Sequence, residues 1–407
     1  MVTTYQYRIY PTVKHEKIFE CNLEACQTLY NQALHWRKEA YEAHGESVNY
    51  TMQQADLTRL QEESPFWKSL HIDILQDSLR RLDLAFQAFF QSVKEGKNTG
   101  YPKFKSGDDV RSFTYSNRAK HLITLTGKRL DRIFVPKVGK VKIRYHRPLP
   151  EGEIKTLQVL RKASGWYTNI TVEIPDAPKV EILSAVGVDV GLESFLTTSD
   201  GERVLNSRHL RKSEEHLTQL QRQLSNRKKG SNHRRKARTQ VAKLHEHVAN
   251  QRRDFHYKTA HKLYSRYDAV VVERLNIDNM KQNHHLAKSI SDAAWGNFTL
   301  RLSSKAEKTG KHLLKVSPNG TSQNCSGCGK KVEKALSVRV HRCDSCGLQI
   351  DRDVNAAINI LRAASALRGS CEPKDKTREA RKTCVESSAV QLLLFQAPPD
   401  SSLRRGS

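Results

Sequence analysis

The chain has 407 residues and carries 69 Lys and Arg against 43 Asp and Glu, a formal net charge of +26. At ~150 residues per domain, this length predicts two or three domains, and it suffices to bury a core without disulfides. The longest apolar stretch, near Val390–Phe395, is far short of the ~20 residues of a membrane-spanning helix, so we expect no membrane insertion. The surplus of positive charge favours a polyanionic partner.

The first hundred residues change from a strand pattern to a helical pattern. Residues 1–10 alternate aromatic or β-branched side chains with polar ones, which predicts one strand. From about Thr12, apolar residues recur at spacings of three and four and predict a helix, and a second helix is predicted over roughly 70–94. We see no apolar segment of a secretory signal at the N-terminus, so we expect a reducing compartment, the cytoplasm.

The next segment, 101–180, has the pattern of short strands separated by turn residues. Its predicted strands are Arg111–Ser116, His121–Leu125, Arg132–Val135, Val141–Tyr145, Leu157–Leu160 and Trp166–Ile174. Such a series predicts a small antiparallel barrel. The N-terminal strand would complete this barrel, with the helical part as an insertion.

The second half of the chain mixes strands with helices. Residues 184–204 predict two strands and a tight turn, and 205–266 a basic helical arm broken at 227–231. The later predicted elements are a buried strand at Ala269–Glu273, a helix at Ala293–Lys308, a strand at Leu313–Val316 and a helix at Asn355–Leu367. The polar residues from about 370 onward predict a disordered tail.

Two Cys-x-x-Cys pairs stand in the last third of the chain. Cys325 and Cys328 are followed, after fourteen intervening residues, by Cys343 and Cys346. In a reducing compartment this spacing predicts four thiolates around one structural Zn²⁺, with no position left for water. A redox pair is the alternative, and it is disfavoured because two pairs stand at zinc-ribbon spacing.

Three acidic residues follow or interrupt apolar runs. Asp189 lies within a Val-rich strand, Glu273 ends another, and Asp353 opens the final helix. A carboxylate in such a place is costly unless it is paired or binds a metal. Three converging carboxylates suit Mg²⁺, and a pair of such ions supports phosphodiester hydrolysis. The alternative is that each acid caps a turn or pairs with an arginine.

Basic residues dominate the helical arm. Between residues 208 and 253 there are fourteen Lys and Arg and three acids, which favours binding to a nucleic-acid backbone over a merely solvated face. The candidate contacts at its break are Arg227, Lys228, Lys229, Arg234 and Arg235. Aromatic and basic residues also alternate at 101–105 and 111–115, where stacking on bases and core packing are both open; Lys103 and Lys105 are candidate contacts.

Taken in order, several motifs resemble one family. They are Gly187-Val-Asp-Val-Gly191, Val271-Val-Glu273-Arg-Leu-Asn, Ser291-Asp-Ala-Ala-Trp295, Ser317-Pro-Asn-Gly-Thr-Ser-Gln-Asn-Cys325, the two cysteine pairs and Asp351-Arg-Asp-Val-Asn-Ala-Ala357. This set resembles the TnpB family, RNA-guided endonucleases of small insertion sequences that are kin to the type V CRISPR effectors. The resemblance runs from residue 1 to about 368 and is most specific from 184 onward.

The resemblance implies a multidomain α+β protein with a RuvC nuclease domain, which is RNase H-like. The implied parts are the first strand of an antiparallel wedge barrel in 1–11, an inserted helical recognition lobe in 12–100, the rest of the wedge barrel in 101–182, the first part of the RuvC domain with the basic arm in 183–316, an inserted zinc ribbon in 317–348 and the last part of the RuvC domain in 349–370. It leaves 371–407 as the tail.

The resemblance also implies the chemistry. Asp189, Glu273 and Asp353 match the catalytic acids, with two Mg²⁺ ions, and Asp353 is preferred over Asp351 because it precedes x-Asn-Ala-Ala. Tyr50, Gln76 and Thr114 match positions that read duplex DNA. The implied partners are a transposon-derived guide RNA and double-stranded target DNA, cut beside a short duplex motif to leave 5′-phosphate and 3′-hydroxyl ends.

Two other functions stay open on the sequence. One is an RNA-guided DNA-binding protein or repressor that does not cut, and the other is a transposase that joins strands with three carboxylates. The three intact acids disfavour a repressor that does not cut. The cysteine ribbon disfavours a transposase. The oligomeric state is also open, with a monomer favoured.

Overall fold

The computed structural model describes residues 1–97, 100–116, 130–335 and 338–366. They fall into two compact units, Met1–Pro175 and the chain from Asp176 onward. The strand predicted at His121–Leu125 and the predicted tail lie outside the described residues. In the part that is described, none of the helices is both long enough and apolar enough to cross a membrane.

The first unit combines helices with an antiparallel sheet. Its helices are α1 (Val13–His44), α2 (Tyr50–Glu63), α3 (Pro65–Ser69) and α4 (Ile72–Lys94). Its strands are β1 (Val2–Tyr10), β2 (Ser112–Tyr115), β3 (Leu130–Val135), β4 (Gly139–Arg144), β5 (Glu153–Lys162) and β6 (Gly165–Glu173).

The strand β1 joins the two halves of this sheet. The strand order is β2-β5-β6-β1-β4-β3, and every neighbouring pair is antiparallel. Most of β1 pairs with β6, whereas Ile9 and Tyr10 pair with β4. The alternation that predicted this strand corresponds to burial, because Tyr7 and Ile9 are buried and Arg8 is exposed.

The core of the first unit lies between the sheet and the helices α1 and α4. Thr12 caps the start of α1 through its side chain, and Gly45 ends the helix in the left-handed region at φ +68°. Phe19 of α1 contacts Phe113 of β2 and Trp166 of β6, with ring centroids 5.8 and 5.0 Å apart. These aromatic contacts fix α1 against the sheet.

The second unit holds the candidate site. Its strands are β7 (Ala185–Val190), β8 (Ser194–Thr198), β9 (Arg203–Leu205), β10 (Ala269–Glu273), β11 (His312–Val316), β12 (Val340–Arg342) and β13 (Gln349–Asp351). Its helices are α5 (His209–Lys212), α6 (Glu214–Ser225), α7 (Asn232–Arg266), α8 (Ile277–Met280), α9 (His284–Ala293), α10 (Trp295–Thr309) and α11 (Arg352–Ala366).

Five of these strands form a mixed sheet in the order β11-β10-β7-β8-β9. Strands β7, β8 and β9 form an antiparallel meander, and β10 and β11 continue it parallel to β7. Val270 and Val272 face the cluster formed with α7 and α10, whereas Val271 packs with Ile360 of α11. The sheet therefore has helices on both faces, as its continuous apolar strands require.

The boundary between the units lies before the one expected from the sequence. Residues 176–182, assigned there to the end of the barrel, belong to the second unit. The reason is their packing: Ile182 is buried against Ala269, and the Val180 amide donates to the Gly310 carbonyl at 2.9 Å.

Candidate active site and metal centre

The sheet register brings Asp189 and Glu273 to the same level of neighbouring strands. Gly187 of β7 pairs with Val271 of β10, so the acid two residues further along each strand reaches the same edge on the same face. Helix α11 covers that face and carries Asp353 in its first turn. The three predicted acids therefore converge where two parallel strands end and one helix begins.

Close packing at Gly187 sets the distance of α11 from the sheet. A Cβ atom at this position would lie 2.0 Å from the Ala357 carbonyl oxygen and 2.8 Å from the Leu361 nitrogen. Only glycine permits this approach. The Gly-Val-Asp spacing thus places the helix against the strand two residues before the first acid.

The charges of the three acids act on one another. Burial, together with the negative charges of Glu273 and Asp353, raises the pKa of Asp189 to about 8. Burial also raises the pKa of Glu273, and a hydrogen bond from the Thr321 hydroxyl opposes that shift. The side chains of this site thus leave negative charge that the protein does not fully neutralise.

Asp351 and Asp353 have different surroundings, although they are two residues apart. One carboxylate oxygen of Asp351 accepts from the amides of Asp353 and Val354 at 3.0 and 3.2 Å, and the other lies 2.5 Å from Nη2 of Arg203. Asp351 is therefore engaged as the cap of α11. Asp353 contributes to the raised pKa of Asp189 and contacts the Arg352 guanidinium at 3.3 Å.

A basic cavity of about 340 Å³ lies beside the acids. Arg339 belongs to both places, because it lines the cavity, lies 2.7 Å from Glu193 and reaches to 3.9 Å from Asp353. The other cationic residues of its lining are Arg208, Arg211 and Lys288. Asp292, from one of the sequence motifs, accepts from the Leu210 and Arg211 amides and so shapes this wall.

The four predicted cysteine ligands come together. Sγ of Cys325 lies 3.6 Å from Sγ of Cys346, and Sγ of Cys328 lies 3.6 Å from Sγ of Cys343. In the described residues this is the one group of three or more Cys, His, Asp or Glu whose ligand atoms all lie within 4.8 Å of one another, so the three carboxylates are more widely spaced. Four thiolates in this arrangement are the donor set of a structural zinc site.

The turns around the sulfurs follow the Cys-x-x-Cys-Gly pattern. Gly329 and Gly347 have φ of +78° and +72°, and their amides donate to the carbonyls of Cys325 and Cys343. The Gly327 amide reaches a sulfur, 3.3 Å from Sγ of Cys325. Backbone amides also lower the pKa of Cys343 to about 6, which favours the thiolate form that a metal binds.

Helix α11 also anchors the first cysteine turn. Asn355, which is fully buried, accepts from the Ser326 amide and donates to the Asn324 carbonyl, both at 2.8 Å. Arg362 donates to the Ser326 carbonyl. One helix therefore carries an acid of the candidate active site and holds the sulfur cluster.

The candidate nucleic-acid contacts of the basic arm differ in their surroundings. Arg227, Lys228, Lys229 and Arg235 are exposed. Arg234 is half-buried, and its guanidinium donates to the carbonyls of Leu224 and Arg227 at 2.8 and 2.9 Å. Arg234 therefore closes the turn between α6 and α7, whereas the exposed residues stay predicted contacts.

The three candidate residues for duplex reading lie in the first unit. Tyr50 and Gln76 are half-buried on α2 and α4, and the Tyr50 hydroxyl accepts from Gln54 at 2.9 Å. Thr114 is buried in β2, where its hydroxyl accepts from Arg81 at 3.0 Å. This placement argues against a direct contact of Thr114 with DNA.

The two aromatic and basic segments separate into core and surface. Phe113 and Tyr115 are fully buried, so core packing explains them. Lys103 is exposed, whereas Lys105 is half-buried with its backbone bonded to Asn31 and its ammonium 5.4 Å from the centre of the Tyr30 ring. The exposed side chain of Lys103 is therefore better placed for the predicted nucleic-acid contact than that of Lys105.

Sequence reasoning missed Thr321, Arg339 and the Asn residues of α11. Thr321 belongs to one of the family-like motifs, Ser317-Pro-Asn-Gly-Thr-Ser-Gln-Asn-Cys325. The motif does not show that the Thr321 hydroxyl reaches Glu273. The one available signal was position, because this segment joins the strand beside Glu273 to the first cysteine.

Family models match most of the second unit. The model of a probable transposase, OrfB of IS605, matches residues 169–284, and that of a Cas12f1-like TNB domain matches residues 295–360. A helix-turn-helix model matches residues 1–46, although this segment folds here as β1 followed by the single helix α1.

Relatives cover nearly the whole chain. A Streptomyces pristinaespiralis protein named "Putative RNA-guided DNA endonuclease" is 34% identical over 93% of this chain and 93% of its own. The Escherichia coli K12 protein named "Putative RNA-guided DNA endonuclease InsQ" is 30% identical over 86% of this chain and 90% of its own.

Solved structures resemble this chain in fold. A Cas12f1 chain, solved as a complex with sgRNA and target DNA, matches with a TM-score of 0.59 at 13% identity, over 88% of this chain and 98% of its own. The mini-RNA-guided endonuclease CRISPR-Cas phi3 matches with a TM-score of 0.51 at 8% identity, over 89% and 92%. The likeness supports a multidomain α+β architecture.

Proposed function

Because the chain belongs to the TnpB family of RNA-guided DNA endonucleases, we propose that it is a transposon-associated endonuclease that cuts DNA under the direction of a guide RNA. The observation that carries this proposal is the convergence of Asp189, Glu273 and Asp353 on one face of the five-stranded sheet. A protein that only binds DNA has no need of three carboxylates that repel both one another and the nucleic acid.

The second unit would be the RuvC-like nuclease domain, with the cysteine segment as its zinc ribbon. Support comes from the strand order, an antiparallel meander of three strands continued by two parallel ones, which is the order of the RNase H fold. The six antiparallel strands of the first unit would be the wedge barrel and its helices the recognition lobe, as the sequence motifs imply.

The acidic site suits Mg²⁺. Its donors are carboxylate oxygens, which that ion prefers, and the raised pKa of Asp189 reflects negative charge that a divalent cation would neutralise. Asp189, Glu273 and Asp353 would hold the metal, while Asp351 remains the helix cap. Bound Mg²⁺ would supply activation of water and stabilisation of the leaving oxygen in phosphodiester hydrolysis.

The chain's own residues would guide the scissile strand into this site. Arg208, Arg211, Lys288 and Arg339 line the cavity beside the acids and would bind the phosphates of a single strand. Arg352 and Arg339 would orient Asp353 through their contacts at 3.3 and 3.9 Å. The exposed turn with Arg227, Lys228 and Lys229 would bind RNA phosphates, while base pairing supplies specificity.

The test is cleavage of a plasmid by the purified protein with its copurifying RNA. Wild type should cut only with Mg²⁺ and a matching target, and Asp189→Ala should lower the rate at least about 10³-fold, since a metal ligand is lost, while RNA and DNA binding stay intact. Asp278→Ala is the matched control, because that carboxylate is 95% exposed on a short helix.

Three outcomes would overturn the proposal in whole or in part. Retained cutting by Asp189→Ala would refute the site. DNA strands joined in the absence of RNA would instead support a transposase, the function named for the OrfB family model. Guided binding without cutting by wild type would leave a repressor.

A further inference from the structure

The Thr321 hydroxyl makes a short contact with one candidate catalytic acid. Its Oγ1 lies 2.5 Å from Oε1 of Glu273, and it lies 3.2 Å from the Pro318 carbonyl. Thr321 is 7% exposed. Because a carboxylate is acceptor-only when ionised, the hydroxyl proton is donated to Glu273, in a charge-assisted bond.

The backbone around Thr321 is fixed from two sides. Gly320, directly before Thr321, adopts φ +77°, a left-handed backbone conformation that favours glycine. On the other side, Asn359 of α11 donates to the Thr321 carbonyl at 2.8 Å and to the Asn324 carbonyl at 2.7 Å. The hydroxyl therefore sits on a rigid support.

That support belongs to the helix that carries Asp353. Helix α11 packs against Gly187, holds the Thr321 carbonyl through Asn359, and begins with the cap that presents Asp353. The position of Glu273 is thus tied to the same helix as Asp353, through the bond from Asn359 to the Thr321 carbonyl and then the side-chain bond from Thr321 to Glu273. Without that bond, the three dihedral angles of a glutamate at a strand end would have to be ordered when the metal binds, at a cost in entropy.

We propose that Thr321 is a positioning residue of the nuclease site: by holding Oε1 of Glu273 it fixes the carboxylate so that Oε2 is directed at the divalent cation. This rests on the proposed function, because it takes Glu273 as a metal ligand. It adds a residue from outside the three acids, and it assigns the two Glu273 oxygens different tasks. Partners of this kind typically change metal affinity about 10–100-fold.

The experiment compares Thr321→Val, which keeps the shape and removes the donor, with Thr321→Ser, which keeps the donor. Thr299→Val is the matched control, because its hydroxyl donates to the Trp295 carbonyl on α10, against the other face of the sheet. Mn²⁺ binding to the protein–RNA complex is titrated by electron paramagnetic resonance. Single-turnover cleavage is measured over a series of Mg²⁺ concentrations, and zinc content and melting temperature are recorded for each variant.

For Thr321→Val we expect Mn²⁺ affinity about 10–100-fold weaker and the half-saturating Mg²⁺ concentration raised by a similar factor. Zinc content, melting temperature and target binding should match wild type. Thr321→Ser and Thr299→Val should both keep the wild-type metal dependence. Unchanged Mn²⁺ binding in Thr321→Val would overturn the proposal. A rate that falls by one factor at every Mg²⁺ concentration, with lost zinc or a lower melting temperature, would overturn it too and assign Thr321 a structural role.

The Glu273→Gln variant distinguishes a failure of the proposed role of Thr321 from a failure of the proposed nuclease site. If Glu273→Gln binds Mn²⁺ as well as wild type and still cuts, the acid site itself is refuted. If Glu273→Gln fails and Thr321→Val does not, the acid site stands and only the role of Thr321 is lost.

Discussion

The sulfur cluster and the acid cluster of the second unit differ in how closely their side chains approach and in how their ionised forms are stabilised. The four cysteines approach within 4.8 Å of one another, and turn amides stabilise the thiolate form of Cys343. The three carboxylates converge less tightly, and burial together with their mutual repulsion raises the pKa of Asp189 to about 8. We infer from this difference that the sulfur cluster is closed, so that a bound metal would complete the fold, whereas the acid cluster is open and destabilised, as a site that acts on a substrate would be.

The largest effect that this contrast predicts is on stability at the closed cluster. Cys343→Ser removes a thiolate from a site whose zinc would contribute on the order of 10 kcal/mol to folding of its segment. We expect loss of bound zinc and a melting temperature lowered by at least about 10 °C, measured by metal release and calorimetry. Cys21→Ser, in α1, is the control and should keep its zinc. Full zinc content in Cys343→Ser would contradict the assignment of the four cysteines to a closed zinc site.

A smaller effect of opposite sign is expected at the open cluster. Asp189→Asn replaces a carboxyl that must take up a proton when the protein folds at pH 7, so it should raise the melting temperature of Mg²⁺-free protein at this pH by about 2–4 °C while abolishing cleavage. The sign follows from linkage: the folded-state pKa of Asp189 is raised from 3.8 to about 8, so the native state binds more protons and stability falls as pH rises between these values. Calorimetry from pH 4 to 8 should show a shallower slope for Asp189→Asn. Equal slopes in both proteins would contradict the account of a destabilised site.

The smallest effect extends the contrast to the basic arm, where Arg234 is satisfied by backbone carbonyls and its exposed neighbours are not. Changing Arg227, Lys228 and Lys229 to Ala should leave the melting temperature unchanged, weaken RNA binding, and reduce the slope of log affinity against log salt by about 0.7–0.9 per lost contact. Arg234→Ala should instead lower the unfolding free energy by about 1–2 kcal/mol. Filter binding at several salt concentrations and chemical denaturation measure the two. The same response in both variants would show that burial does not separate these roles.

The apolar strands and their acids were predictable from sequence for a physical reason. A carboxylate at the end of a Val-rich run, as at Glu273, is costly without a partner, so its presence indicates function. The family membership inferred from the motifs is confirmed by relatives at 34% and 30% identity. The assignment of the individual catalytic acids stays a prediction.

Contacts between distant segments were not predictable. Helix α2 was missed because only Gln53 and Leu57 are buried on it, which leaves no apolar seam to read. The final helix begins at Arg352 rather than at Asn355, because Asp351 caps it through two amides. No periodicity encodes such a cap or the bond from Thr321 to Glu273.

The position of Asp353 on the last described helix orders events during synthesis. A ribosome makes the whole first unit, then β7 and β10, before the residues of α11 exist. Until that helix docks on Gly187, Asp353 is not held beside the other two acids. If the three acids form the nuclease site, as we propose, a product that ends before α11 lacks one of them and should not cut DNA.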